Sequence, residues 1–170
     1  MNKVKSVCFT GHRNIDITKE LSSKLYNRLE ILVNNGADTF LAGGAMGWDL
    51  LCEKTVLTLK EKYPNIKLHI IMPCSEHEQT KNWKNDNDRE EYKKILLSAD
   101  YIEICSNSLT NDCMKKRNAR LIELANFCIC YYDTRRNRSG TGQTIRMAQK
   151  RGLLLLICTN KIKSLSDLFC

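Results

Sequence analysis

The sequence predicts an α/β fold: a three-layer α/β/α sandwich around a mainly parallel sheet. Short β-branched or apolar runs alternate with longer segments of helical spacing, which is the pattern of repeated βαβ units. Glycines gather where the strand-like runs end. No repeat, low-complexity tract or linker rich in Pro, Gly or Ser divides the 170 residues, so 1–170 is expected to form a single domain.

The first strand is expected at Ser6 to Thr10. The first helix carries Leu21, Leu25, Leu29 and Leu32 on one face and stops at Gly36. Thr39 to Ala42 reads as the second strand; a helix follows through Leu50, Leu51, Val56, Leu57 and Leu59, closed by Pro64 and Asn65. Lys67 to Met72 is the third strand, ended by Pro73. The polar stretch Cys74 to Asp88 reads as irregular, either a lid or pocket wall or a surface excursion. A helix near Arg89 to Ala99 leads to strand Tyr101 to Cys105, and one from about Asn111 to Ala125 leads to strand Phe127 to Tyr132. Beyond the loop Asp133 to Ser139, a helix from about Thr141 to Arg151 precedes strand Leu153 to Cys158, and Thr159 to Cys170 reads as a short capping helix.

Hydrophobic residues at 42% and charged residues at 27% fit a globular protein and exclude a disordered or fibrous one. No apolar stretch approaches the ~18–20 residues of a membrane span, and no signal-peptide core follows Met1 to Lys5, so a cytoplasmic protein without a membrane partner is expected. Cys8, Cys105, Cys128, Cys130 and Cys158 fall in apolar runs, as small buried hydrophobes in a reduced interior do. The one close pair, Cys128 and Cys130, lacks a second ligand pair, so no metal is expected. The formal charge of +8 attracts anions without choosing among a phosphorylated small molecule, nucleic acid and plain solvent.

In an open parallel sheet, ligands collect beyond the carboxyl ends of the strands. Thr10, Gly11, His12 and Arg13 follow the first strand; Gly43, Gly44, Ala45, Met46, Gly47 and Asp49 follow the second; Ser139, Gly140, Thr141, Gly142 and Thr144 open a late helix. Glycines let backbone N–H groups approach a ligand, and the positive end of the next helix favours an anion, so phosphate is the natural occupant. Gly44 is expected to serve in this way, with Arg135, Arg136 and Arg138 adding charge near the late helix. Any one loop reads equally well as a tight turn; three at strand ends read as a pocket. Ala42 stands where a dinucleotide fingerprint needs its first glycine, and no Gly-Lys-Ser or Gly-Lys-Thr occurs, so NAD chemistry and ATP hydrolysis are not expected.

Asp49 can cap its helix or accept from ribose hydroxyls. Arg117 and Asn118, beside Lys115 and Lys116, form either a binding turn or a basic surface. His12 is placed to orient a substrate, and His69 alternates within a strand as a structural residue.

Four blocks carry a resemblance: Thr10 to Arg13, Gly43 to Asp49, Cys113 to Asn118, and Ser139 to Arg146. In this order they resemble the YpsA-like branch of the SLOG superfamily over about Lys5 to Cys158. That resemblance implies a Rossmann-like fold, related to the LOG phosphoribohydrolases and to the DNA-processing protein DprA, with a site for nucleotides or nucleotide-derived signals; members occur in bacteria and in phages or prophages. Met114-Lys115-Lys116-Arg117-Asn118 looks like the LOG block that supplies a catalytic arginine, which would make Arg117 that residue. The LOG glutamate has no counterpart, because Ile145, Arg146 and Met147 follow Thr144. Asn14 replaces a usual proline, and Ser139 a common glycine.

Three functions follow, in order of preference. The first is a binding module for a phosphorylated, nucleotide-derived ligand, requiring no cofactor. The second is a nucleotide N-glycosidase in which Arg117 acts and Glu76 or Asp49 replaces the absent glutamate. The third is a DNA-associated protein, unsupported by any helix-turn-helix or zinc-finger pattern. A homodimer through the leucine-rich helices at Leu21 to Leu32 and Leu50 to Leu59 is also expected.

Overall fold

Each strand-like run becomes a strand, and the helical segments between them pack on its faces. In the computed structural model, residues 4–133 and 139–158 are described. The elements are β1 Ser6–Gly11, α1 Lys19–Asn34, β2 Thr39–Ala42, α2 Trp48–Lys62, β3 Lys67–Met72, α3 Glu76–Thr80, α4 Asp86–Ser98, β4 Tyr101–Ile104, α5 Cys113–Leu124, β5 Phe127–Tyr131, α6 Gly140–Lys150 and β6 Leu154–Cys158. All strand pairings are parallel, in the order β4-β3-β2-β1-β5-β6.

Handedness decides where the helices go. Right-handed crossovers place every helix on one face while strands are added in one direction, and on the other face once the direction reverses. From β1 to β4 the chain moves one way, and α1, α2 and α4 share a face; at β5 it returns to the far side of β1, and α5 and α6 cover the opposite face. Strand alternation feeds both layers. Val7 and Phe9 join the α1/α2 core with Phe40, Leu68 and Ile70, while Cys8 joins Leu41, Cys128 and Cys130 under α5 and α6.

The leucines of α1 and α2 are spent inward. Leu21, Leu25, Leu29, Leu50, Leu51 and Leu59 are buried against the sheet, each contributing about 1.5–3 kcal/mol of transfer free energy. These leucines face the core of the chain itself.

Cys74 to Asp88 is not the irregular stretch its polarity suggests. Ser75 accepts the Glu78 N–H and caps α3, and Asn85 accepts the Asn87 N–H and starts α4 at Asp86 instead of near Arg89. The described cysteines are free thiols: all are buried except Cys105, which is half-buried just past β4. Among the described residues no helix is long and apolar enough to cross a membrane, and no cluster of three or more His, Cys, Asp or Glu residues could hold a metal ion. Thr159 to Cys170, with Arg135, Arg136 and Arg138, lie outside the described residues.

Candidate functional site

β1 is the strand at which the sheet order reverses, with β2 on one side and β5 on the other. Such a switch point leaves a crevice beyond the strand ends, because the flanking connections leave toward opposite faces. A cleft of 320 Å³ lies there. Thr10 to Arg13 form one wall, Ala45 and Asp49 a second, Met114, Arg117, Asn118 and Leu121 of α5 a third, and Ser139 to Thr141 at the start of α6 a fourth.

The β2–α2 loop is tied down from within. Gly44 and Gly47 have φ of 65° and 73°, a left-handed backbone that glycine adopts without strain. A Cβ on Gly47 would lie 2.1 Å from the Arg13 carbonyl oxygen, so glycine lets the β1 loop lie directly on the start of α2, where Trp48 N–H donates to His12 O at 3.2 Å. Trp48 plugs the space below: its side chain is fully buried against Gly11 and packs on Tyr131 with ring centroids 5.4 Å apart.

The amides of this loop face the protein. Gly44 N–H donates to Glu53 Oε1 at 3.0 Å, and the N–H groups of Gly43 and Ala45 donate to the Asp49 carboxylate. Arg117 Nη1 donates to Gly43 O at 2.6 Å, and Gln79 Nε2 donates to Gly44 O. The expected role of Gly44 is thus corrected: its N–H is held by a buried carboxyl, and a Cβ there would meet the Tyr92 hydroxyl at 2.2 Å, inside the protein.

Asp49, Glu53, Tyr92 and Arg117 form one buried cluster beneath the cleft. Arg117 Nη1 is 3.5 Å from Asp49 Oδ2. Burial raises the Asp49 carboxyl above its ordinary range against the pull of Arg117 and the two backbone N–H groups. Glu53 is pushed well above its usual value, first by burial and then by the Asp49 charge, and burial likewise raises Tyr92. Burial and the neighbouring Asp49 charge thus favour the protonated form of Glu53, while Asp49 is the ion-pair partner of Arg117. Glu53 Oε2, the Tyr92 hydroxyl and Arg117 Nε have no hydrogen-bond partner among the described residues.

The opposite wall is the positive end of α6. Ser139 caps it by accepting the Gly142 N–H at 3.1 Å, while the first N–H groups, Gly140 and Thr141, have no acceptor in a helix's own ladder. Both residues line the cleft. His12 is buried against Tyr132, with ring centroids 5.7 Å apart, and its Nε2 accepts the Asp133 N–H at 3.0 Å, which assigns the proton of the neutral ring to Nδ1.

The fold therefore brings Thr10, Gly11, His12, Arg13, Ala45, Asp49, Arg117, Asn118, Ser139, Gly140 and Thr141 to one cleft. Gly43, Gly44 and Gly47 lie behind its wall, and Thr144 is fully buried with its hydroxyl on Gly140 O at 2.9 Å. Glu53, Tyr92 and Gln79 were missed by sequence reasoning. For Glu53 a signal exists, since Asp49 and Glu53 stand four apart on a helix face shared with Cys52 and Val56. His69 is structural, half-buried edge-on to Tyr101 and 3.8 Å from Glu103.

Strand order, switch-point cleft and glycine loop define a Rossmann-like α/β module with a candidate ligand site at its carboxyl edge. The chain belongs to the family described as the YspA SLOG family, whose model matches residues 7–153. It is similar to UPF0398 protein YpsA of Bacillus subtilis, 33% identical over 107 residues, which make up 58% of each chain. A UPF0398 protein of Bacillus cereus is 28% identical over 160 residues, 88% of this chain and 85% of that one. A third, from Staphylococcus epidermidis, is 33% identical over 109 residues, 59% of this chain and 56% of the relative.

Proposed function

We propose that this chain binds a phosphorylated, nucleotide-derived ligand in the switch-point cleft, as a cytoplasmic sensor or sequestering module that needs no metal or redox cofactor. One observation carries the reading: Arg117, only 7% exposed and with Nε unpartnered among the described residues, shares the cleft with the first turn of α6. A guanidinium fixed from behind and a helix N-terminus opposite it make a built environment for an anion. Arg13, exposed at the rim, adds a second cation.

Binding is favoured over glycosidic cleavage by the lining. Cleavage of the LOG kind pairs an arginine with a free glutamate, whereas among the described residues the one carboxyl lining the cleft is Asp49, already engaged by Arg117; Glu76 does not line it. The test is mass spectrometry of small molecules released on denaturing the purified protein, followed by calorimetry with nucleoside mono-, di- and triphosphates. A nucleotide-derived compound is expected in the released fraction. Absence of any such compound, together with no binding across the panel, sinks the reading; free base released from a nucleotide would transfer it to the hydrolase.

A further inference from the structure

We propose that the cleft continues past Arg13 and Met114 into a second compartment that receives the base of the nucleotide, while the main compartment receives its phosphate. The proposal rests on the binding function above and deepens it. A cavity of 150 Å³ adjoins the main one and shares Arg13, Ala45, Met114 and Arg117 with it. The partition is a contact of 3.9 Å between Arg13 Nη2 and Met114 Sδ. Thioether sulfur is a weak acceptor and Arg13 is exposed, so a ligand can displace Arg13 at little cost while Met114 Sδ keeps its 3.8 Å contact with Arg117 Nη2.

The far compartment differs in chemistry from the near one. Met46 and Leu109, the latter 43% exposed, offer apolar area, and Trp83 is held rigid by packing on Tyr92 with ring centroids 5.3 Å apart. Its one carboxylate, Glu78, is held by Lys81 Nζ at 2.9 Å and by the Leu109 N–H, and it disfavours a phosphate at that end. Asn82 is exposed in the wall, and its side-chain amide makes no hydrogen bond among the described residues. A primary amide presents one acceptor beside donors, the complement of a base edge that carries an adjacent donor and acceptor. Apolar area, the exposed Asn82 amide beside that of Gln79, which holds the Gly44 carbonyl, and, among the described residues, no cation beyond the shared Arg13 and Arg117 suit a neutral heteroaromatic ring.

Calorimetry with ribose 5-phosphate and with AMP, GMP, CMP and UMP separates the two compartments. At least one nucleotide is expected to bind about tenfold or more tightly than ribose 5-phosphate. Asn82→Ala and Leu109→Ala, both at exposed positions, are expected to weaken that nucleotide about threefold or more and leave ribose 5-phosphate unchanged, with circular dichroism as the folding control. Ribose 5-phosphate binding as tightly as every nucleotide overturns the base compartment while leaving the phosphate site standing. Variants that fail to weaken the nucleotide, or that weaken both ligands equally, also overturn it. If the parent binds none of the five compounds, the division into a phosphate and a base compartment is overturned, while the binding function stands or falls on the released fraction and the wider nucleotide panel.

Discussion

Arg117 has two tasks that a mutation separates. It faces the cleft and also holds the Gly43 carbonyl and the Asp49 carboxylate. Arg117→Ala is expected to lower affinity for a confirmed phosphorylated ligand about tenfold to a hundredfold, the worth of ~1.5–3 kcal/mol for a charged hydrogen bond, and to lower the melting temperature because Asp49 loses its partner. Gly43→Ala tests the geometry without deleting the charge. Its Cβ would fall 1.5 Å from Arg117 Nη1, so the guanidinium must leave its seat, and calorimetry should show a loss comparable to that of Arg117→Ala. Unchanged affinity in both variants would show that the anion sits elsewhere. Gly44→Val belongs to a different class: the left-handed φ and the collision with Tyr92 predict loss of the folded state, read by circular dichroism, before any effect on ligand.

Glu53 supplies a pH signature at the same scale. Its folded-state value lies above the ordinary 4.5, so the folded protein keeps a proton that the unfolded chain gives up. The stability this contributes is complete below the unfolded value and drains away as pH rises toward the folded one. Glu53→Gln retains an oxygen for the Gly44 N–H and cannot ionise. Its stability advantage over the parent, measured by urea denaturation, should widen as pH rises above the ordinary 4.5; a difference that does not change with pH would show that Glu53 is not shifted upward on folding.

At the scale of elements, helix caps divide scaffold from site. Thr18 accepts the Leu21 N–H at 3.1 Å and caps α1, whereas Ser139 caps α6 at the cleft. Thr18→Ala is expected to cost about 1 kcal/mol in urea denaturation and to leave ligand affinity unchanged; Ser139→Ala should cost a similar amount and weaken the ligand as well. The strands were legible because each is a short apolar run stopped by a polar or glycine-rich segment, and Lys67–Met72 and Thr39–Ala42 fall where the sequence put them. α3 was not, since its five residues carry no apolar stripe; its one signal is Ser75 followed by Glu78, the spacing of a capping box. Within the site, glycine content was legible but direction was not. Nothing in Gly43-Gly44-Ala45 tells whether its amides face a ligand or the buried pair Asp49 and Glu53, because that depends on α2 lying behind the loop.

For the molecule as a whole, opposing titrations set the stability profile. Asp100 is pushed up by burial but pulled further down by Lys60, the Leu68 N–H and Lys67, so its contribution is present above the ordinary 3.8 and lost as pH falls through the lowered value. Glu53 and Asp49 act in the reverse sense, losing their contribution as pH rises. The described cysteines are free thiols, nearly all buried, so neither dithiothreitol nor EDTA should move the melting temperature of the ligand-free protein. A fall of several degrees with either would point to a disulfide or bound metal.

Placing β1 at the centre of the sheet also dictates when the protein becomes competent. β1 pairs with β2 soon after both are made, but its other edge waits for β5, with Val7 opposite Phe127 and Thr10 opposite Cys130. These are high-separation contacts, and closing such loops is the slow part of folding. A chain emerging N-terminus first can assemble β1 to β4 while the far edge of β1 stays open. The cleft cannot exist in that intermediate, because Ser139, Gly140 and Thr141 reach it only after β5 has docked. Capture of the proposed ligand would therefore be a late event in the chain's maturation, and such a ligand would act selectively on finished molecules, sparing them from proteases that still recognise the half-built sheet.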